Sequence, residues 1–114
     1  MITGANMPAP ADRVKPGLYI WETAMAAYIV TYDLHKQGQN YSCITKKLEE
    51  YGYYCHLQGS VWVIVTSQNC VQIRDNLMQC LDANDKLFVG QLAGEAAWTG
   101  YTNNISDWLK GALS

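Results

Sequence analysis

The apolar run from Ala26 to Leu34 constrains the fold of this chain more than any other stretch. From Ala27 to Asp33 its residues are apolar, aromatic or β-branched until the closing carboxylate, a composition typical of a β-strand. Successive side chains of a strand point to opposite faces, so the run divides into two sets. These sets are Tyr28, Val30 and Tyr32 on one face and Ile29, Thr31 and Asp33 on the other. Both are largely apolar, which predicts a central strand covered on both sides.

Asp33 would stand where this strand leaves the sheet. A carboxylate there can reach a cleft at the sheet edge while the sheet fixes its backbone. That position suits a metal ligand or a general base. The competing interpretation is that Asp33 caps the loop that follows it.

Length and composition predict one globular domain. The chain has 114 residues, of which 49% are hydrophobic and 16% charged, far from the profile of a disordered chain. Its net charge of −2 and pI of about 5.5 argue against a dedicated duplex-DNA binder, which usually carries a basic surplus. No apolar run is long enough for a membrane helix, and no signal peptide is recognisable, so we expect a cytoplasmic protein with no membrane partner.

The four cysteines predict reduced thiols. They show no C-x-x-C spacing, and only two histidines are present as imidazole partners; the cysteines are Cys43, Cys55, Cys70 and Cys80. Without an export signal, buried thiols are the usual state. We therefore predict no disulfide and a melting temperature that a reducing agent leaves unchanged.

Residues 1–25 differ from the rest of the chain, because they hold all three prolines and show no periodicity. They are interpreted as a flexible leader, an upstream extension of a frame that starts at Met25, or an added segment. The apolar patch Leu18–Trp21 leaves open docking on the domain or on a second copy. We expect residues 26–114 to form the single domain and the leader to contribute little to its stability.

The periodicity after residue 26 alternates between strand and helix. The predicted elements are a strand over 27–33, a helix over 41–51, a strand over 53–57, a strand over 61–66, a helix over 69–81, a strand over 86–92 and a terminal helix capped by Asn103 or Asn104. Asn40 and Ser67 are the candidate N-caps of the first two helices, and Gly52 is a candidate stop. The order predicts an α+β, ferredoxin-like split βαβ fold, with a four-stranded antiparallel sheet, two helices on one face and an extra C-terminal helix. Right-handed crossovers place the first and third strands in its centre.

The sheet face away from the two long helices would be an apolar patch. We expect it to carry Trp62 and Ile64, or Tyr28 and Tyr32. The terminal helix, a second subunit or both must cover such a patch, and we expect a homodimer.

Two motifs carry a resemblance to a known family. Tyr32-Asp33 closes the first strand, and Gln58-x-Ser60-Val61-Trp62 crosses the predicted hairpin. Together with the order of the elements, they resemble the small CRISPR adaptation subunit, the second numbered CRISPR-associated protein, which is an endoribonuclease in many members. The virulence-associated protein D toxins belong to the same superfamily. The stretch from Ile73 to Val89 is more similar to stand-alone relatives, and the resemblance covers about residues 27–92.

The resemblance implies functional roles for particular residues. Asp33 would be the catalytic, metal-binding carboxylate, paired with its counterpart across a homodimer and held there by Mg²⁺ or Mn²⁺. Ser60 would be a second catalytic residue near the same cleft, or a residue that shapes the turn. His35 and Lys36 follow Asp33, where they would contact a phosphate or simply face solvent.

Three departures from the family pattern leave competing functions open. Val63 stands where the family often has an acidic residue, the loop 36–40 has no arginine, and a helix replaces the usual C-terminal strand. One hypothesis is a metal-dependent endoribonuclease of single-stranded RNA, either toxin-like with an antitoxin partner or CRISPR-associated. The alternative is a non-catalytic dimeric module that acts through protein contacts. Spacer acquisition with a CRISPR integrase ranks lower, because the net charge disfavours clamping duplex DNA.

Overall fold

A computed structural model describes residues 25–35 and 41–113. The strands are β1 (Ala26–Asp33), β2 (Tyr54–Gln58), β3 (Val61–Thr66) and β4 (Lys86–Gln91), and the helices are α1 (Tyr41–Glu49), α2 (Cys70–Met78) and α3 (Asn103–Ala112). Predictions for the leader, for Asn40 as a cap and for Lys36 concern residues outside these ranges. The order β1-α1-β2-β3-α2-β4-α3 is the one that the periodicity predicts.

The four strands form one antiparallel sheet in the order β2-β3-β1-β4. β1 and β3, the two most apolar runs, are therefore central, and β2 and β4 are the edges. This arrangement confirms the ferredoxin-like fold with an additional C-terminal helix.

The face of the sheet toward α1 and α2 contains the bulkier core. Its buried residues come from both central strands and both helices: Tyr28, Val30, Tyr32, Trp62, Ile64, Ile44, Leu48, Ile73 and Leu77. The expectation that Trp62 and Ile64, or Tyr28 and Tyr32, lie on the opposite face is wrong. The register pairs Tyr28 with Ile64 and Val30 with Trp62, so these side chains share one face, and the large rings fill the space between the sheet and the helices.

α3 packs on part of the opposite face. Its apolar stripe and the sheet residues beneath it form a second buried cluster: Ile105, Trp108, Leu109, Ala27, Cys55, Val63 and Val65. The indole Nε1 of Trp108 is buried and has no hydrogen-bond partner among the described residues. Ile29, Thr31 and Val61 on the same face lie outside this cluster and are only partly buried. α3 therefore covers the end of the face where β1 begins and leaves the Asp33 end open.

The N-cap residues of two helices differ from the predicted ones. Asn69, not Ser67, caps α2, and its side chain and that of Gln72 form a reciprocal capping box. Thr102, not Asn103 or Asn104, caps α3 through the N–H of Ile105. After α1, Gly52 has a φ of 87°, the conformation for which glycine is favoured at a helix end.

The cysteine prediction is wrong for one pair. Cys43 in α1 and Cys80, just beyond α2, form a disulfide with their Cα atoms 5.7 Å apart. The packing of α1 beside α2 brings together two residues 37 positions apart, a proximity that spacing in the sequence does not reveal. Cys55 and Cys70 are free thiols. Among the described residues no helix is long and apolar enough to span a membrane.

Candidate functional site

Asp33 closes β1 on a rigid backbone. The preceding residue, Tyr32, is buried, and its hydroxyl accepts a hydrogen bond from Trp62 Nε1 at 3.1 Å. Burial raises the pKa of the Tyr32 hydroxyl, and the bond from Trp62 opposes this shift in part, so Tyr32 stays neutral at physiological pH. Its backbone N–H donates to the carbonyl of Ser60 at 3.2 Å. These contacts hold in place the last residues of β1, from which the Asp33 side chain projects.

The Asp33 carboxylate is exposed and makes no hydrogen bond or ion pair within residues 25–35 and 41–113. It shares the open part of the sheet face with Ile29 and Thr31, because side chains alternate along β1. Lys86 stands opposite Asp33 in the register of β1 with β4. A carboxylate without an internal partner, beside partly buried apolar residues, is available to a cation or a second molecule.

Ser60 lies in the hairpin between β2 and β3, at the same end of the sheet as Asp33. The backbone carbonyl of Ser60 accepts a hydrogen bond from the Tyr32 N–H. The hairpin is further shaped by His56, whose Nε2–H donates to the carbonyl of Gly59 at 2.6 Å. The His56 ring stacks on Trp62 with centroids 4.2 Å apart. His56 is thus a turn-forming residue, while Ser60 joins this turn to the Asp33 strand.

Asp85 is a positioning residue that the sequence reasoning missed. Its Oδ1 accepts the backbone N–H of His35 at 2.6 Å, and its Oδ2 accepts the N–H of Asp82 at 2.8 Å. This carboxylate therefore ties the segment after Asp33 to the turn before β4. The sequence signal for it is the spacing of Asp82 and Asp85 in the turn, since short acidic side chains commonly bond to nearby backbone N–H groups. The His35 residue itself is exposed.

The described residues of the chain do not form a metal site by themselves. Within the described ranges no group of three or more histidine, cysteine, aspartate or glutamate side chains could hold an ion. Mg²⁺ is usually held by one or two carboxylates and several waters. Asp33 supplies one carboxylate of that donor set.

A cavity of about 430 Å³ lies at the opposite end of the sheet. It is bordered by Met25 and Ala26 at the start of β1, Gln91 at the end of β4, and Trp98 and Leu113. Asp33 therefore lies on an open surface and not in this cavity.

Comparison with known proteins identifies a family and a similar solved structure. The family model described as "CRISPR associated protein Cas2" matches residues 25–97. A crystal structure of the hypothetical protein TT1823 from Thermus thermophilus is similar in fold, with a TM-score of 0.57 and 23% identity, covering 68% of this chain and 93% of that one. Comparison with curated proteins finds no match.

Proposed function

The chain belongs to the CRISPR-associated protein Cas2 family, and on that premise we propose that it is a metal-dependent endoribonuclease that acts as a homodimer on single-stranded RNA. The observation that carries this proposal is Asp33. Its carboxylate is exposed, lacks a partner among the described residues and stands at the end of a central strand. The nearby Asp85 carboxylate, by contrast, already accepts the backbone N–H groups of His35 and Asp82.

The part of the sheet face that α3 leaves uncovered, called the open face below, supports the dimer. It carries Ile29, Thr31 and Val61, which α3 leaves partly exposed. Stacking two such faces about a two-fold axis would bury these side chains and bring the two Asp33 residues toward each other. Two close carboxylates repel each other unless a cation lies between them, so the dimer would create a cation site that the monomer lacks.

The proposed site uses Asp33 of both subunits as ligands of Mg²⁺ or Mn²⁺. When bound, such an ion supplies an activated water and charge neutralisation at a phosphodiester. Asp33 would hold and orient the ion, and Asp85 would keep the segment containing His35 in place beside it. Ser60 would position the substrate or the turn, with a smaller effect on rate than Asp33.

Cleavage of a labelled single-stranded RNA tests the activity. The wild-type protein should cleave slowly with Mg²⁺ or Mn²⁺ and not with a chelator. Asp33→Asn keeps the shape of the side chain but removes its charge, so it should abolish cleavage, while Ser60→Ala should reduce it less. Asp107→Asn, which removes another exposed carboxylate on α3, is the matched control and should cleave normally. Wild-type protein that is inactive with both ions, or Asp33→Asn that remains fully active, contradicts the proposal.

Light scattering tests the dimer independently. The wild-type particle should have at least twice the 12.8 kDa mass of the chain. Thr31→Lys introduces a charge into the open face without changing Asp33, and it should weaken association and cleavage together. Asp33→Asn should leave the dimer intact or make it more stable in a chelator, because a like-charge pair is removed.

A non-catalytic dimeric module for protein contacts is the second candidate, favoured by the small number of catalytic groups among the described residues. Under this function the dimer would persist while cleavage is absent with either ion. The toxin-like and CRISPR-associated roles remain two versions of the enzyme proposal. They differ in the protein partner, an antitoxin in one and an integrase in the other.

A further inference from the structure

Within residues 25–35 and 41–113, no strand pairs with the outer edge of β4. The N–H of Leu92 donates to the carbonyl of Ala27 at 2.8 Å, so the backbone groups of alternate residues from Leu92 back to Lys86 point toward β1. The intervening residues, Leu87, Val89 and Gln91, therefore direct their N–H and C=O groups outward. Because β4 is an edge of the described sheet, these groups form a template for strand addition.

Exposed apolar side chains concentrate along this edge. Four large hydrophobic side chains of the described residues are exposed, and three of them lie on β4 or on the neighbouring helix α2: Val71 at 52%, Met78 at 53% and Phe88 at 63%. Cavities of about 370 and 230 Å³ separate α2 from β4, and Arg74 and Leu87 border both. A strand edge combined with this much exposed apolar surface is typical of an interface.

We propose that this edge binds a second copy of the chain through antiparallel β4–β4 pairing, which would join two sheets into one of eight strands. The proposed interface runs along the sheet edge and α2, and it differs from the open face that contains Asp33. Phe88 borders both surfaces, because the register places it beside Thr31. It commits to a second copy because the edge is self-complementary about a two-fold axis.

The first element of self-complementarity is the strand register. Since Leu87 and Val89 both point their backbone groups outward, an antiparallel pair can place Leu87 opposite the partner's Val89. Phe88 then lies opposite the partner's Phe88 at a non-hydrogen-bonded position, where side chains are closest. The most exposed of the large apolar residues would thus contact its own copy on the axis.

The second element is α2, which would run antiparallel to the same helix of the partner. An axis between Arg74 and Asp75 places Arg74 opposite the partner's Asp75, and Val71 opposite the partner's Met78. Arg74 and Leu87 border both cavities, so the middle of α2 lies beside the middle of β4. A single two-fold axis can therefore relate both the two β4 strands and the two α2 helices. In the free chain Arg74 bonds its own neighbour Asp75, both side chains being more than half exposed.

Cysteine cross-linking tests the register. In the proposed pairing the two Phe88 Cα atoms would be about 4.5 Å apart, a separation that a disulfide can span. Phe88→Cys should therefore form a covalent dimer under mild oxidation. Lys86→Cys on the same face is the matched control, because two-fold symmetry would separate its copies by roughly 14 Å along the strands. Absence of a cross-link at Phe88, or equal cross-linking at both positions, overturns the proposal.

Charge reversal on α2 distinguishes this interface from the open-face dimer, because α2 lies on the other side of the sheet. Arg74→Asp and Asp75→Arg should each raise the edge dissociation constant about tenfold, and the double variant should restore it, because opposite charges again face each other. Met78→Lys should also weaken the interface, whereas Gln79→Lys at the adjacent exposed position should not. Sedimentation analysis would show a wild-type particle of at least four chains if both interfaces form. A dimer unaffected by every α2 variant overturns the edge interface and leaves the proposed open-face dimer standing.

Discussion

The Cys43–Cys80 disulfide should make a large contribution to stability. The bond closes a loop of 37 residue steps between α1 and the end of α2. In the chain-entropy model, restricting an unfolded loop of this length stabilises the folded state by about 4 kcal/mol. For a domain of this size, the loss should lower the melting temperature by roughly 15 °C or more.

The perturbation that isolates this effect is the double change Cys43→Ser and Cys80→Ser. Cys80 is only 2% exposed, so substitution is a cleaner change than adding a reductant to the folded protein. Denaturant unfolding of both proteins without reductant should give free energies that differ by about 4 kcal/mol. Cys70→Ser removes one of the free thiols and serves as the control, with a much smaller expected effect.

Thiol counting checks the bond directly. Wild-type protein unfolded without reductant should expose two reactive thiols, Cys55 and Cys70, and four after reduction. Four thiols before reduction, or equal stability of the double variant and the wild type, would refute the argument from loop closure.

Three further predictions concern stability. Burial raises the pKa of the Cys55 thiol from an ordinary 9.0 to about 11. The stabilisation that comes from keeping this thiol neutral is therefore complete below pH 9 and is lost as the pH rises through 11. Denaturant unfolding across this range should show the free energy of unfolding fall by about 2–3 kcal/mol, a fall that Cys55→Ala should remove. Asp85→Ala should destabilise the fold by about 1–2 kcal/mol, because two backbone N–H groups lose a charged acceptor, with Asp82→Ala as a comparison in the same turn. A chain that starts at Met25 should melt within a few degrees of the full chain, and a much larger loss would indicate that Leu18–Trp21 contributes to the core or an interface.

Local patterns predicted the strands and helices well, because their signals lie within a few adjacent residues. β3 has the predicted bounds of Val61 to Thr66, and Asp33 ends β1 as its composition indicates. Helix starts were less accurate, since Ser67 and Asn69 are both good caps and only the latter forms a capping box with Gln72. The capping residue is decided by geometry over three positions, which composition alone does not specify.

Properties that depend on contacts between distant segments were not accessible from the sequence. Whether the Trp62 face is the one covered by the two long helices depends on where those helices pack. The disulfide forms because α1 lies beside α2. The role of Asp85 likewise depends on its reaching His35, 50 positions away. The position of Asp33 could be predicted because it depends only on the end of one strand. The second carboxylate of the proposed metal site would belong to another molecule, and the sequence does not show how two molecules pack.

Mixing subunits tests most directly the central claim that two Asp33 carboxylates form one site. Wild-type and Asp33→Asn chains would be unfolded together in equal amounts, refolded to exchange subunits, and assayed for RNA cleavage with Mn²⁺. If each site needs both carboxylates, random pairing should leave about a quarter of the wild-type activity. If each subunit acts alone, about half should remain, and that result would contradict a shared site.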